Sequence, residues 1–490
     1  MAEENKLITE RKEKLNELRE RGINPYPHTY KPTHTAKAVK KKYSDMKKSD
    51  GKSKETHKVA GRVMLMRNMG KITFLTLKDD DEDIQVYLRK DELDNYDVLD
   101  LIDMGDWLGA SGKTFITNTG ELTIHAKDFK VLCKAIRPMP DKFHGVKDTE
   151  IRYRKRYLDL AVNEESKKVF KQRTQIMSII RDFLNQRGYL EVETPILHQI
   201  YGGAAAKPFK TYHNDMKQDL YLRISPELYL KRLIVGGFRR VYDINKNFRN
   251  EGISTKHNPE FTMLEAYEAY SDYNDMMKLF EELYEKIALE LHGTTKVKYK
   301  DTTLDFKAPW KRITMLDSIK KHAKINAGDM SAKELKKFME ENDVPLEEEP
   351  NWGNYVVAIF EDFCEDKITQ PTFIIDHPLE STPLCKTHRK DDRLVERFEP
   401  ICMGMEIGNS YTELNDPIMQ RKLLEDQARQ REEGYDEANP FDEDFVEAIE
   451  QGMPPTGGVG IGIDRLVMLL TGQESIRDVI LFPAMKPKEK

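Results

Sequence analysis

FRNEGISTKHNPEFTMLEAY (residues 248–267) sets one arginine, three carboxylates, a lysine and a histidine between two runs that read as core strand. A surface loop accounts for the charge but not for the apolar flanks. A core strand accounts for the flanks but not for the charge. Side chains alternate across a strand, so Asn247, Arg249 and Glu251 share one face if 239–251 is extended. If the chain returns as a strand from 260, Phe261, Met263, Glu265 and Tyr267 share a face as well. The loop ISTKHNP between them holds Lys256 and His257. Such a row of charge on a sheet is costly unless its members pair or meet a ligand. Two readings follow: an internal salt-bridge network, or an anionic ligand gripped by Arg249 with the loop cation and His257 at a phosphate tail.

Two further clusters raise the same question. In VERFEPICMGMEIGNSYTELND (395–416), Glu399 and Glu406 are symmetric about a turn at Cys402–Met403. A hairpin makes them cross-strand neighbours, and two like charges there repel unless a cation lies between them. The segment is either a plain surface hairpin or a Mg2+ site, since Mg2+ takes a few carboxylates together with phosphate oxygens and water. Asn409, Tyr411 and Glu413 have the other parity, so joining Glu406 at one site requires a one-residue slip, with Gly408 as the place for a bulge. In PPTGGVGIGIDRLVMLLTG (454–472), glycines precede a helix that begins near Asp464. The pattern is neither a Walker loop nor a dinucleotide fingerprint. Alternate glycines strip the side chains from one face of a strand, so that a flat ligand or a helix can approach. Arg465 falls in the first helical turn, against the dipole, and is better explained by an anion or a ring in contact with it.

Outward from these clusters, the second half alternates helices with strands at hairpin spacing, which predicts a largely antiparallel sheet. Residues 167–187 carry a helical stripe, either ordinary core or a subunit interface. YLEVETPIL follows as a strand, with Pro195 at an edge or an end. Ser225 caps and Pro226 opens the next helix, and Gly236–Gly237 stops it. Residues 271–292 read as another helix, and 314–345 as a charged helical insert rather than core. Before all this, residues 59–135 hold five short strands, the signature of a small closed barrel. Phe74 and Gln85 lie on adjacent strands with Arg67 one strand back; Phe74 either stacks a base or is core. Residues 5–22 form a helix, and 31–58 hold ten lysines against three acids, a solubilising linker or a basic arm on a polyanion. Residues 141–163 read as a connector.

Composition bounds the rest. The chain has 490 residues, 33% of them charged, with a net charge of −6, so any nucleic-acid contact must use local basic surface. Its four cysteines are far apart and form no CxxC pair, which fits a reducing compartment. No HExxH pattern signals zinc. The opening residues carry no apolar signal-peptide core, and no apolar run is long enough to span a membrane, which makes the cytoplasm the expected location.

Taken in order, the clusters resemble the three signature motifs of class II aminoacyl-tRNA synthetases: GYLEVETPIL motif 1, FRNEG with HNPEFTMLEAY motif 2, and GGVGIGIDRLVM motif 3. YGGAAAKPFKT, ISPELYLKRLIVGG and ERFEPICMGMEIGNSYTELNDP extend the resemblance to lysyl-tRNA synthetases of bacterial type, over about 59–485. The resemblance implies an α+β fold: an N-terminal OB-fold barrel that binds the anticodon, then a class II catalytic domain with a mainly antiparallel sheet flanked by helices. Expected boundaries are 1–58 for the helix and basic arm, 59–140 for the barrel, 141–166 for the connector, and 167–490 for the catalytic domain. The resemblance also implies activation of lysine by ATP and its transfer to the tRNA for lysine. Arg249 and Arg465 are the expected catalytic groups. Glu251, His257, Phe261 and Glu399 join them around ATP, with Glu399 and Glu406 holding several Mg2+ ions. Gly203, Glu227, Glu265, Tyr267, Asn409, Tyr411 and Glu413 are expected to hold lysine, with its ε-ammonium against Glu413. Arg67, Phe74, Gln85 and Glu121 are expected to contact the anticodon, and motif 1 to make a homodimer. Aspartyl- or asparaginyl-type relatives need a cationic pocket, which Glu265 and Glu413 contradict. A relative that lysylates a protein has no barrel, and a non-catalytic relative is expected to lose Arg249, Glu399, Glu406 or Arg465.

Overall fold

The computed structural model describes residues 2–80, 82–140, 148–346, 350–435 and 438–487, with side chains from Lys6 onward. The chain divides into two compact units, Met1–Glu164 and Glu165–Lys490.

The first unit begins with α1 (Ala2–Glu20) and α2 (Ala36–Lys42). Five strands follow: β1 (Lys52–Met69), β2 (Ile72–Lys78), β3 (Asp83–Arg89), β4 (Trp107–Ile116) and β5 (Leu122–Cys133). They close into a barrel in the order β1-β2-β3-β5-β4, which leaves no free edge. Strand period explains the sidedness. Thr73, Leu75 and Leu77 of β2 are buried, whereas Ile72, Phe74 and Thr76 face outward. The expectation of five short strands fails for β1, which runs for 18 residues and takes in 52–58. The remainder of the basic arm is not a free linker either. Thr35 caps α2, Val39 is fully buried, and Lys40 pairs with Glu82 at 2.9 Å and Asp83 at 3.2 Å. Residues 141–147 of the expected connector lie outside the described residues. Helices α3 (Thr149–Arg154) and α4 (Arg156–Val162) complete this unit.

The second unit opens with α5 (Glu164–Gln186), β6 (Leu190–Glu191), β7 (Leu197–His198), β8 (Lys210–His213), β9 (Gln218–Leu222) and α6 (Glu227–Val235). Next come β10 (Arg240–Phe248), β11 (Glu260–Ala269), α7 (Tyr273–His292), β12 (Lys296–Tyr299), β13 (Thr302–Asp305) and β14 (Lys311–Thr314). Helices α8 (Met315–His322), α9 (Ala332–Glu341) and α10 (Trp352–Phe363) lead to β15 (Thr372–Pro378), β16 (Leu394–Ile401) and β17 (Gly408–Thr412). The unit closes with α11 (Pro417–Glu432), α12 (Glu443–Glu450), β18 (Thr456–Gly462), α13 (Ile463–Thr471) and α14 (Ile476–Val479).

An eight-stranded sheet runs β14-β15-β16-β17-β18-β11-β10-β6, antiparallel except for the two outermost pairs. Its strands divide their residues by parity. Leu264, Ala266, Val459 and Ile461 join the stripes of α5, α7 and α13 in the main core. Their neighbours Glu265, Tyr267, Gly458 and Gly460 face a cavity on the opposite side. Phe280 of α7 anchors the core: its ring stacks on Tyr284 at 4.9 Å and meets Trp310 edge-on at 5.6 Å.

Local expectations shift in four places. The 190–198 stretch is not one strand. β6 pairs with β10, and then the hydroxyl of Thr194 donates to Asp243 at 2.7 Å and draws the chain off the edge. β7 joins a separate sheet with β8 and β9. Pro226, not Ser225, is the N-cap of α6. β10 ends at Phe248, so Arg249 and Glu251 leave the strand for the loop, although the Arg249 amide still donates to Pro259 at 2.9 Å. The 314–345 segment is helical, but Met315, Ile319, Leu335 and Met339 share a core with α10, Ile374 and Ile401.

Phe280→Ala is expected to cost roughly 3–5 kcal/mol in denaturant unfolding of the second unit; a loss below about 1 kcal/mol would mean that the aromatic cluster can repack around the void.

Candidate active site

The cavity is organised by the rows that cross three strands. Glu265 lies opposite Gly460, which lies opposite Asn409; Tyr267 lies opposite Gly458, which lies opposite Tyr411. In each row a glycine of β18 separates two functional side chains. The reason is steric: a Cβ on Gly458 would stand 2.1 Å from Glu413 Oε1 and 2.5 Å from Tyr267. Alternate glycines thus clear a floor that flanking side chains overhang, as the pattern in 457–462 suggested.

The hairpin β16–β17 brings the acidic residues to this floor. Its turn is centred on Met403–Gly404, one residue later than the expected Cys402–Met403. Both residues have positive φ, 55° and 60°, as a tight two-residue hairpin requires. Glu406 therefore faces Ile401 and not Glu399. Further along, Phe398 pairs with Ser410, so the register slips by one residue between Glu406 and Ser410, around Gly408. The slip lets Glu406 and the row Asn409, Tyr411 and Glu413 serve one space.

Every expected residue of the catalytic unit lines a single cavity of 1250 Å³: Gly203, Glu227, Arg249, Glu251, His257, Phe261, Glu265, Tyr267, Glu399, Glu406, Asn409, Tyr411, Glu413 and Arg465. One end is acidic. Glu265 accepts from Ser225 at 2.9 Å and Tyr267 at 3.2 Å, yet burial and the nearby Glu227 push its carboxyl up to about 8. Glu413 is fully buried; its Oε2 is ion-paired with Lys231, and its Oε1 has no hydrogen-bond partner among the described residues. Gly203, at φ +87°, brings its loop against Ser225 and Glu227 with no room for a side chain.

The other end is cationic at its rim. Arg249 lies over the Phe261 ring at 5.2 Å, and its Nε is buried with no hydrogen-bond partner among the described residues. Arg465 spans Glu406 Oε2 at 3.5 Å and His257 Nε2 at 3.1 Å. Burial, Arg465 and Lys256 lower the His257 imidazole below its ordinary range. Glu406 is raised by burial and by Glu399. Glu365, which the sequence reading did not single out, is pushed up to about 7 by burial and the same two carboxylates. Among the described residues no group of three His, Cys, Asp or Glu side chains is set to hold a metal unaided. Two repelling carboxylates match instead the share that Mg2+ takes from protein when phosphate supplies the remaining oxygens.

Two basic residues went unnoticed in the sequence. Arg397 shares a face of β16 with Glu399; it bonds that carboxylate, donates to Asn409 at 3.0 Å and lies 5.8 Å from the Tyr411 ring centre. Its parity with Glu399 was the available signal. Lys231 lies one helical turn beyond Glu227, a spacing that reads as a surface pair. It is instead fully buried, ion-paired with Glu227 at 2.6 Å and in contact with Glu413. Internal pairing thus occurs at Lys231 with Glu227 and Glu413 and at Arg397 with Glu399, none of them a member of the 248–267 row for which it was one of the two readings.

The barrel carries its own candidate face. Arg67 pairs in register with Phe74, and its guanidinium lies 5.9 Å from the ring centre. Phe74 points outward, which removes the core reading. Gln85 accepts from Thr123 at 2.9 Å, and Glu121 follows the β4–β5 turn in the open. Tyr87 and Phe115 extend the aromatic surface: Tyr87 meets Phe74 at 5.3 Å, Phe115 at 5.8 Å and the buried His125 at 4.9 Å.

Comparison with known proteins follows the same division. The family described as tRNA synthetases class II (D, K and N) matches residues 148–486, and OB-fold nucleic acid binding domains match 57–132. The chain is similar to the lysine–tRNA ligase of Pelotomaculum thermopropionicum, 51% identical over 99% of this chain and 96% of that protein. It is 48% identical to the lysine–tRNA ligases of Carboxydothermus hydrogenoformans, over 99% of both chains, and of Bacillus subtilis, over 99% and 98%.

A carboxyl whose folded pKa is raised costs stability as pH climbs from its unfolded value toward the raised one. Glu265→Gln is therefore expected to stabilise the ligand-free protein in urea at pH 8, by on the order of a few kcal/mol, and to change little at pH 5. Equal effects at the two pH values would refute the raised carboxyl.

Proposed function

The chain belongs to the class II tRNA synthetases and, among them, to the lysine–tRNA ligases, and from that premise we propose that its cavity joins lysine to ATP and its barrel selects the tRNA. The protein is an ATP-dependent ligase that activates L-lysine to lysyl adenylate with release of pyrophosphate, then transfers lysine to the 3′-terminal adenosine of its tRNA. One observation carries the site assignment. Arg249, whose buried Nε has no acceptor among the described residues, and Glu413, whose buried Oε1 has no donor among them, line one cavity, and a zwitterion with a terminal ammonium supplies both.

In this reading the lysine ε-ammonium meets Glu413, helped by Tyr267, while Glu227 and Glu265 take the α-ammonium; Gly203, Asn409 and Tyr411 shape the slot. A shorter or neutral side chain leaves Glu413 unpaired, which is the basis of discrimination. Arg249 holds the lysine carboxylate against the α-phosphorus of ATP. Its planar fork stays charged and lets it grip both oxyanions. Phe261 and Arg465 take the two faces of adenine, Glu251 its amino group, and His257 the phosphate tail. Glu399 and Glu406 would hold Mg2+, which supplies charge neutralisation on the phosphates. No side chain of this chain has to donate or remove a proton in the first step; the carboxylate is already the nucleophile, and catalysis is alignment and neutralisation.

The exposed apolar residues Leu190, Ile196 and Leu197 lie in motif 1, with Ile200 just beyond it, which supports pairing of two copies there. No helix among the described residues is long and apolar enough to cross a membrane. Four free cysteines support a cytoplasmic setting. On the barrel, Phe74 stacks an anticodon base, with Arg67, Gln85 and Glu121 at base edges and backbone.

Exchange of labelled pyrophosphate into ATP is expected with lysine and not with asparagine or aspartate. Glu413→Gln should raise the KM for lysine by about two orders of magnitude and leave that for ATP near its starting value; an unchanged lysine KM would sink the pocket assignment. Phe74→Ala should lower kcat/KM for tRNA roughly 10- to 100-fold and spare the exchange reaction. Equal damage to both reactions would refute the division of labour between the units.

A further inference from the structure

Lys231 does not line the cavity, yet it touches the wall that recognises the substrate. It is fully buried on α6, and its ammonium donates to Glu227 Oε1 at 2.6 Å and to the Leu384 carbonyl at 3.5 Å. It also contacts Glu413 Oε2. The second oxygen of that carboxylate, Oε1, lies on the cavity side, against the bare Cα of Gly458. The two oxygens of Glu413 thus face different ways, one toward a resident ammonium and one toward the slot.

We propose that Lys231 is a specificity-determining positioning residue, a resident ammonium that orients Glu413 and Glu227 and neutralises one of the slot's three carboxylates, so that the remaining two negative charges match an amino acid with two ammonium groups. The proposal rests on the assignment of Glu413 and its neighbours to the substrate amines. The slot's carboxylates are Glu227, Glu265 and Glu413, all nearly or fully buried. Without Lys231 three charges would face a substrate that brings two. With it, a diamino acid balances the slot, while its carboxylate is left to Arg249. A monoamino acid leaves one buried charge uncompensated, a penalty greater than the loss of a single contact. Stability alone does not explain the residue, because a buried ion pair is no better than apolar packing of similar volume.

Titration of the slot follows from the same geometry. Burial raises Glu413, and Glu227 and Glu265 add to this, with Lys231 opposing. Burial likewise raises Glu227, again opposed by Lys231 and by the more remote Arg397. Glu265 stands at about 8, with Ser225, Tyr267 and Arg223 pulling it down. Burial alone would lower the Lys231 ammonium, but Glu227 and Glu413 outweigh it and hold the group charged. Burial and Glu413 also raise the Cys385 thiol, which stays neutral behind the slot. Binding of two ammonium groups must ionise the carboxyls of the empty slot, so lysine binding at neutral pH releases protons and tightens as pH rises toward 8.

The test is steady-state pyrophosphate exchange by Lys231→Gln across pH 6 to 9, beside Glu413→Gln. Lys231→Gln is expected to raise the KM for lysine roughly 30-fold, keep that for ATP within about twofold, and move the pH at which the lysine KM levels off upward, because the carboxyls lose their cation. An unshifted pH profile, or KM values for lysine and ATP that rise together, would overturn the proposal, since a merely structural lysine predicts those results. If Glu413→Gln also leaves lysine use intact, the pocket assignment itself fails; if only Lys231→Gln does, this inference alone fails. Should Lys231→Gln not fold, the wild-type protein decides. Calorimetry of lysine binding at pH 7, in buffers of different ionisation enthalpy, must show proton release, and its absence would overturn the charge balance.

Discussion

Tyr267 of β11 and Tyr411 of β17 belong to one row whose middle position, on β18, is Gly458. Any side chain there would collide with Tyr267 and Glu413. The emptied face of that strand is the constraint from which the rest follows. It lets long polar side chains from neighbouring strands converge over the centre of a sheet, where side chains would otherwise fill the space. The opposite face of the same strand carries Val459 and Ile461 into the main core. The strand is thus rigidly held from below and bare above, which suits a site that must align reactants closely.

Charge along this floor has two ends. Glu227, Glu265 and Glu413 form the acidic one, and Arg249 and Arg465 stand toward the loop that follows β10 and the start of α13, where Glu406 meets Arg465. Arg249 Nε and Glu413 Oε1 are buried without partners among the described residues, an arrangement that costs free energy in the empty protein. A fold under pressure for stability alone would replace them. Their retention makes sense where the missing partners arrive with the ligands, and the resident cations Lys231 and Arg397 keep the cost tolerable in the meantime. The barrel obeys a related rule on its own surface. Phe74 and Tyr87 occupy outward positions of strands whose inward positions are filled by Leu75, Leu77 and Val86. Aromatic rings left outside a finished core are open to stacking, which is what the proposed contact with single-stranded nucleic acid requires.

The sequence by itself determined the features that depend on near neighbours in the chain. Helical stripes in α5 and α7, alternation in β2 and β11, and the glycine spacing of β18 are local periodicities. They brought the closed barrel, the antiparallel sheet and the three charged or glycine-rich clusters of the cavity within reach of reading, whereas Gly203 and Glu227 came only from the resemblance to the synthetase family. Tertiary structure decided what depends on pairing across distance. The hairpin turn settled at Met403–Gly404 because two successive positive φ values and the register to β16 had to be met together. The 190–198 stretch broke in two because Asp243, far along the chain, captures Thr194. Lys231 went unnoticed because a spacing of four residues from Glu227 says nothing about burial; only the packing of α6 beneath Glu413 made it an interior cation. Short-range order is encoded in backbone geometry and side-chain period. The electrostatic role of a buried group depends on which remote elements enclose it, and no local pattern carries that information.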